Sequence, residues 1–302
     1  MRFSPRLSLI AAPLVLALAT TACGSSSAED EVPSNYRIEQ ADRDDMPDEV
    51  QEILDSGRIM VGTILSTPPM GQRDEMTGRA EGFDAEIARI VAQRIFGNVG
   101  EGDNLFFVEP DPRDREGAIQ DGTVDIVTAA FTITDERKQA VGFAGPYYVD
   151  GQSIMTLAED PVDDMEGLAG KKVCAVENST SYKNVGKQSP DADLTPATSW
   201  TECFDGLVSG TYDAVSTDGL ILRGMSLANP GMFHVSETTF SDEPLGIGVP
   251  KGADGLREFI NDTLELAFEN GDWERAFDRT LAPAEVPLPE TLPKVDRYED
   301  TF

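Results

Sequence analysis

The sequence predicts an α/β protein in which parallel sheets carry helices on their faces. Short runs rich in β-branched residues alternate along the chain with segments of helical period, and strands separated by helices favour parallel pairing. The hydrophobic content of 40% is that of an ordinary globular protein. The 302 residues suffice for one large domain or two modest ones.

The predicted elements begin with a strand over residues 58–64, and a helix follows from Phe83, with apolar residues at helical spacing. Two later strand-to-helix turns, residues 132–137 and 178–181, stand out because ligands bind where strands end and helices begin. In the first of these turns, Thr134 is suited to cap a helix. Further strands are predicted over residues 125–131, 171–176, 212–216, 232–235 and 245–249.

The first 22 residues have the features of a secretory signal peptide. Arg2 and Arg6 flank the start of an apolar run that is too short to span a bilayer, for which about 20 residues are needed. Thr-Thr-Ala then precedes Cys23, a pattern similar to the bacterial lipobox, whose cysteine is lipidated and becomes the mature N-terminus. We expect Cys23 to anchor the protein on the outer face of the cytoplasmic membrane; simple secretion is the alternative.

Composition predicts the character of both ends of the folded region and excludes some classes of partner. Residues 23–49 are serine-rich and then acidic, which predicts a flexible tether, and residues 283–302 form a proline-rich tail expected to run extended over the surface. The formal charge of -31 argues against binding to nucleic acid or anionic headgroups, because like charges repel.

The remaining cysteines, Cys174 and Cys203, would lie in an oxidising compartment. Their even number favours one disulfide over a metal site, with two unrelated buried thiols as the alternative. The only histidine, His234, falls in a strand-like run, which argues against a zinc site and a Ser-His-Asp triad. We therefore expect no metal and no cofactor.

Three features could together bind a small zwitterion. Arg137 offers a bidentate fork for a carboxylate, the amides near Thr180 add donors at a helix N-terminus, and Asp218 at a strand end could pair with an ammonium. Each feature has a plainer interpretation. Arg137 could be a surface residue, the Ser and Thr residues ordinary caps, and Asp218 a cap for a helix that begins near Gly219.

Residues 130–138 (AFTITDERK) and 143–148 (FAGPYY) resemble the signature of the family 3 solute-binding proteins that serve polar amino acid importers. The resemblance implies a type II periplasmic-binding-protein fold, with two lobes joined by a two-stranded hinge and the ligand in the cleft. It spans roughly residues 50–282 and continues, in the family's order, at residues 81–84, 171–181, 212–218 and 245–252. Lobe 1 would comprise residues 50–149 plus 244–282, and lobe 2 residues 150–243.

The resemblance also implies roles for single residues. Arg137 would clamp the ligand α-carboxylate beside Thr132 and the Thr180 amide. Asp218 and the carbonyl of Ala130 would hold the ammonium, and other residues would line the side-chain end of the pocket. The implied ligand-binding residues are Thr67, Ala130, Phe131, Thr132, Arg137, Ser179, Thr180 and Asp218.

The two cysteines resemble those of the actinobacterial glutamate-binding branch, which supports the disulfide. The first loop departs from that branch, however. Ile64, Ser66 and Thr67 stand where those relatives carry Lys, Asp and Gln, and Ile64 cannot replace a lysine that would pair with a ligand side-chain carboxylate. Glutamate and a neutral polar or smaller amino acid all remain candidates for the ligand.

By this resemblance the protein would act as a monomer that delivers its ligand to the membrane subunits of an ABC permease. Two alternatives keep the same fold. One is an enzyme similar to cyclohexadienyl dehydratase, and the other is a sensor that reports occupancy to a membrane partner.

Overall fold

The computed structural model describes residues 36–298. The predicted signal peptide, the predicted lipidation site Cys23 and the first part of the predicted tether lie outside these residues. Between residues 36 and 298, no helix is both long enough and apolar enough to cross a membrane.

Helices and strands alternate along the described chain, and each strand predicted above overlaps an observed one. The helices are α1 (Asp48–Ser56), α2 (Phe83–Phe96), α3 (Arg115–Gln120), α4 (Asp135–Lys138), α5 (Thr180–Gln188), α6 (Trp200–Val208), α7 (Gly219–Ala228), α8 (Asp254–Asn270) and α9 (Asp272–Thr280). The strands are β1 (Ile59–Thr63), β2 (Ser66–Thr67), β3 (Gly71–Arg73), β4 (Ala80–Glu81), β5 (Leu105–Val108), β6 (Ile126–Thr128), β7 (Gly142–Asp150), β8 (Gln152–Leu157), β9 (Lys172–Val176), β10 (Asp193–Ala197), β11 (Ala214–Asp218), β12 (Phe233–Val235) and β13 (Glu243–Val249).

Two five-stranded sheets organise the described residues, in the orders β5-β1-β6-β13-β7 and β10-β9-β11-β8-β12. We call the parts built on them lobe 1 and lobe 2. The sheets are mixed and not purely parallel as the sequence predicted. β13 runs antiparallel to β6 and β7, and β8 runs antiparallel to β11 and β12, because these strands carry the chain out of one lobe and back from the other.

The hinge consists of two passages between the lobes. A single residue, Gly151, separates β7 of lobe 1 from β8 of lobe 2. The chain returns to lobe 1 at Glu243, which pairs with Asp150 across the two hinge strands. The two passages therefore lie side by side, and a small change in backbone angles there can rotate one lobe against the other.

Residues 36–47 correct the predicted flexible tether over its described part. The backbone amides of Arg37 and Ile38 both donate to the carboxylate of Asp272 at 2.8 Å, and the side chains of Tyr36 and Ile38 are buried. The prediction fails here because the few apolar residues within an acidic run are enough to pack onto lobe 1.

The C-terminal tail also lies on lobe 1. The amide of Asp296 donates to the carbonyl of Gly145 at 2.8 Å, and the amide of Phe143 donates to the Tyr298 hydroxyl at 2.8 Å. Around Asp296 and Tyr298, the described part of the tail therefore packs against β7.

The predicted disulfide is present and joins Cys174 on β9 to Cys203 on α6. Both residues are buried in lobe 2. The bridge ties α6 to the sheet on which it packs, and α6 begins at the cleft between the lobes.

Candidate functional site

The two lobes touch directly across the cleft. Lys183 Nζ on α5 lies 2.6 Å from Glu136 Oε2 on α4, and Asn178 Nδ2 donates to the carbonyl of Arg113 at 3.3 Å. The cavities between the lobes include one of about 350 Å³ beside Arg137, one of about 270 Å³ lined by Ile64 and Trp200, and one of about 560 Å³ lined by Pro68 and Gly224. We call the cavity beside Arg137 the first cavity and the cavity lined by Ile64 and Trp200 the second cavity.

Arg137 supplies the positive charge of the first cavity. The Thr134 side chain caps α4 by accepting a hydrogen bond from the Arg137 amide at 3.2 Å, as its place in the sequence predicted. The guanidinium Nη1 donates to the Thr132 carbonyl at 2.8 Å, and Nε donates to Glu116 Oε1 at 3.2 Å. The guanidinium makes no further hydrogen bond within residues 36–298, so it is held in place while its other N–H groups can donate to a ligand.

The N-terminus of α5 faces the same cavity. Ser179 is its N-cap, since its hydroxyl accepts from the Tyr182 amide at 3.0 Å. The Thr180 hydroxyl is engaged at the hinge, where it donates to Glu243 at 2.9 Å and accepts from Gln152 at 2.8 Å. What Thr180 can offer a ligand is therefore its backbone amide, which has no intrahelical partner at the start of a helix.

Asp218 lies at the end of β11, and the sequence analysis left open whether it caps the following helix. It stands at the N-cap position of α7, but its side chain makes no capping hydrogen bond. The carboxylate of Asp150 takes that role instead and accepts from the Leu220 amide at 3.0 Å. Within residues 36–298 the Asp218 carboxylate forms no ion pair and accepts no hydrogen bond, although it is only 6% exposed.

Burial and neighbouring acidic groups make the ionised form of the Asp218 carboxylate energetically unfavourable. Burial raises the pKa of Asp218 well above its usual value, and the nearby charges of Asp150 and Glu243 raise it further. The guanidinium groups of Arg115 and Arg137 act in the opposite direction. A buried carboxylate without a partner destabilises the protein unless a cation binds to it.

Ala130 adopts a strained backbone conformation, with φ of 43°. Its amide donates to Asp84 Oδ2 at 2.9 Å, and its carbonyl accepts from Arg115 Nη1 at 3.2 Å. Burial raises the pKa of Asp84 to about 7. A left-handed residue with a side chain costs about 1–2 kcal/mol, so this strain is maintained by the buried hydrogen bonds around it.

Arg115 is a site residue that the sequence analysis missed. It begins α3, is buried, and donates to the Ala129 carbonyl at 2.7 Å. Burial and the charge of Arg137 lower its pKa to about 10. Both guanidinium groups lie over the ring of Phe131, 4.6 Å and 4.7 Å from its centroid. Phe131 itself has no exposed surface, and its ring stabilises both cations by cation–π contact.

Ile64 lines the second cavity. Trp200 lines the same cavity and also donates from Nε1 to Thr217 Oγ1 at 3.0 Å. Thr67 lies nearby in the chain and is buried, and its hydroxyl has no partner among the described residues. In residues 36–298 no cluster of three or more His, Cys, Asp or Glu side chains is arranged to hold a metal ion.

Gly224 marks a close approach of the two lobes. It lies inside α7, where a Cβ atom would come within 2.0 Å of the Pro68 carbonyl oxygen and 2.4 Å of Pro69 Cδ in lobe 1. Glycine inside a helix costs about 0.5–1 kcal/mol relative to alanine, so its presence here fits the need for close contact.

We expect Gly224→Ala to weaken ligand binding at least tenfold, because the added methyl group prevents the lobes from meeting. The matched control is Gly186→Ala in α5, where a Cβ atom would meet Leu194 Cδ2 at an ordinary 3.5 Å. Titration calorimetry and thermal unfolding check both variants. Neither variant should lose unliganded stability, and wild-type affinity in Gly224→Ala would contradict the expectation.

Two lobes joined by paired strands, with a guanidinium on one wall of the cleft and an unpaired carboxylate on the other, define a solute-binding protein that closes around its ligand. The family model of bacterial extracellular solute-binding proteins, family 3, matches residues 59–282. The chain belongs to this family, as the resemblance of its motifs implied.

Individual relatives agree with this assignment. The ABC transporter glutamine-binding protein GlnH of Bacillus subtilis is 33% identical over 282 residues, which cover 92% of this chain and 98% of the relative. The glutamate-binding protein GluB of Corynebacterium glutamicum is 29% identical over 248 residues, 80% of this chain and 84% of the relative. These relatives are binding proteins, so the dehydratase alternative is not supported.

A solved structure shows the same fold. The solute receptor for L-cysteine of Neisseria gonorrhoeae superposes with a TM-score of 0.75 at 29% identity, over 81% of this chain and 99% of that one. The two-lobed type II periplasmic-binding-protein fold is therefore confirmed.

Proposed function

We propose that this protein captures a free polar amino acid between its lobes and delivers it to the membrane subunits of an ABC importer. The observation that carries the proposal is the buried, unpaired carboxylate of Asp218 on lobe 2, set opposite the held guanidinium of Arg137 on lobe 1. A free α-amino acid carries a carboxylate that can pair with Arg137 and an ammonium that can pair with Asp218.

In the proposed complex, the α-carboxylate binds Arg137 and the Thr180 amide, and the α-ammonium binds Asp218 and the Ala130 carbonyl. Since these groups belong to different lobes, the ligand contacts all of them only when the lobes are closed. The ligand thereby favours the closed state, which is the form that a permease would recognise. We assign residues 50–149 plus 244–282 to lobe 1 and 150–243 to lobe 2 in this motion.

The names of the relatives support the ligand class. They are described as binding glutamine, glutamate and L-cysteine, which differ in their side chains but share the α-carboxylate and the α-ammonium. The name of the Bacillus subtilis relative also places it in an ABC transporter. We further propose that Cys23 carries a lipid that holds the protein at the outer face of the cytoplasmic membrane.

The test is a thermal-unfolding screen of the purified protein against the free amino acids. A ligand present at 100 times its dissociation constant adds about 2.7 kcal/mol of stability, which raises the midpoint by about 5–10 °C for a protein of this size. Arg137→Ala should abolish the shift, whereas Arg58→Ala, at an exposed arginine of lobe 1, should retain it. Absence of a shift with every amino acid would overturn the proposal.

A further inference from the structure

We propose that the second cavity selects an amino acid with an uncharged carboxamide side chain, as in glutamine or asparagine. This inference rests on the proposed function and concerns the part of the ligand that the α-carboxylate and α-ammonium sites do not contact. It follows from two opposite charges that line one cavity of about 270 Å³ between the lobes.

The positive wall of the second cavity is Arg115. Its Nη1 is engaged by the carbonyls of Ala129 and Ala130, but its buried Nε has no hydrogen-bond partner in the described part of the chain. No described carboxylate lies within ion-pair distance of Arg115. A buried donor without a partner is costly, so the cavity calls for a hydrogen-bond acceptor on the ligand.

The negative wall is Glu109. Its Oε1 accepts from the Leu65 amide at 2.9 Å and from the Ser66 hydroxyl at 2.6 Å, which fixes this solvent-exposed carboxylate at the mouth of the cavity. Oε2 accepts from no residue between 36 and 298, and Glu109 forms no ion pair there. Arg115 and Glu109 therefore do not pair with each other, and a ligand side chain can contact both.

These two walls discriminate by charge. A side-chain carboxylate would pair with Arg115 but be repelled by Glu109, and a side-chain cation would pair with Glu109 but be repelled by Arg115. A carboxamide carries an acceptor oxygen and donor N–H groups on one planar group, so it satisfies both walls without net charge. Ile64 and Trp200 supply apolar surface for the methylene groups that precede the amide.

Titration calorimetry with L-glutamine, L-asparagine, L-glutamate and L-arginine tests the inference. We expect the wild type to bind one of the two amides at least tenfold more tightly than glutamate or arginine. Glu109→Gln keeps an oxygen that can accept from Leu65 and Ser66 but removes the charge, and it should raise the affinity for glutamate at least tenfold relative to the amide. Glu52→Gln, at an exposed residue of α1 outside the cavity, should leave that ratio unchanged.

The outcomes separate this inference from the function on which it rests. If some amino acid binds but glutamate or arginine is preferred, or if Glu109→Gln leaves the ratio unchanged, the carboxamide inference is wrong and the proposed function stands. If no amino acid binds to the wild type, the proposed function is wrong and this inference falls with it.

Discussion

Replacing Asp218 by asparagine is expected to weaken amino acid binding by about 1,000-fold, which corresponds to about 4 kcal/mol. The amide has the shape of the carboxylate but cannot neutralise the α-ammonium inside a cleft from which water is excluded. The unliganded protein should become more stable at neutral pH, because the substitution removes a buried charge that has no partner. Titration calorimetry measures the first effect and thermal unfolding the second.

The matched control is Asp213→Asn, just before the same strand. Its exposed carboxylate accepts from the Lys172 amide at 2.8 Å, and an asparagine can do the same. This control should bind like the wild type. An Asp218→Asn variant that keeps its affinity within tenfold of the wild type would show that Asp218 does not hold the ammonium.

Asp218 also predicts how stability depends on pH. Burial raises the pKa of Asp218 in the folded protein above its unfolded value, so the folded state binds more protons in the interval between the two values. The contribution of Asp218 to unliganded stability therefore falls as pH rises from about 4 through the folded pKa. The difference in unfolding free energy between the wild type and Asp218→Asn should follow this course, and a difference independent of pH would contradict it.

Ligand binding should show the opposite dependence on pH. The α-ammonium pairs with the ionised carboxylate, so affinity should fall as the pH is lowered below the folded pKa of Asp218. Titration calorimetry at several pH values measures this trend, which Asp218→Asn should lack.

Removing the disulfide by replacing Cys174 and Cys203 with alanine is expected to lower the free energy of unfolding by about 3–4 kcal/mol. The bridge spans 29 residues of sequence, and a closed loop of that size restricts the unfolded chain by about this amount. Denaturant titration of the wild type, with and without a reductant, and of the double variant measures the effect.

The reductant provides the internal control, because it should destabilise the wild type and leave the double variant unaffected. A loss below about 1 kcal/mol would mean that residual structure already restricts the unfolded chain between the two cysteines. Since α6 also positions Trp200 at the second cavity, we expect the double variant to bind its ligand more weakly as well.

Two of the strands that sequence analysis missed, β7 and β10, share a physical cause. β7 contains Gly145 and Pro146, and β10 contains Pro196, and these residues weaken a strand pattern. Both strands lie at the edges of their sheets, where a residue without an N–H group is tolerated. Which strand lies at an edge is decided only when the sheet assembles, so the local sequence pattern does not predict it.

Local sequence determined the features whose chemistry depends on neighbouring residues. The helix caps at Thr134 and Ser179 are of this kind, and so is the left-handed turn at Asn178, with φ of 62°. Asp218 was likewise a candidate from its place at a strand end. In each case a few adjacent residues fix the backbone conformation that exposes the functional group.

The tertiary structure alone decided which groups share a cleft. Glu116 holds Arg137 from 21 residues away, and Asp150, rather than Asp218, caps α7 through Leu220, which lies 70 residues further along the chain. Arg115 and Glu109 border one cavity with Trp200 from the other lobe. The sequence by itself determined the family, the α/β class and the disulfide partners, because these follow from local pattern and from counting. Which charges remain unpaired depends on long-range packing and burial, and so only the folded structure reveals the binding site.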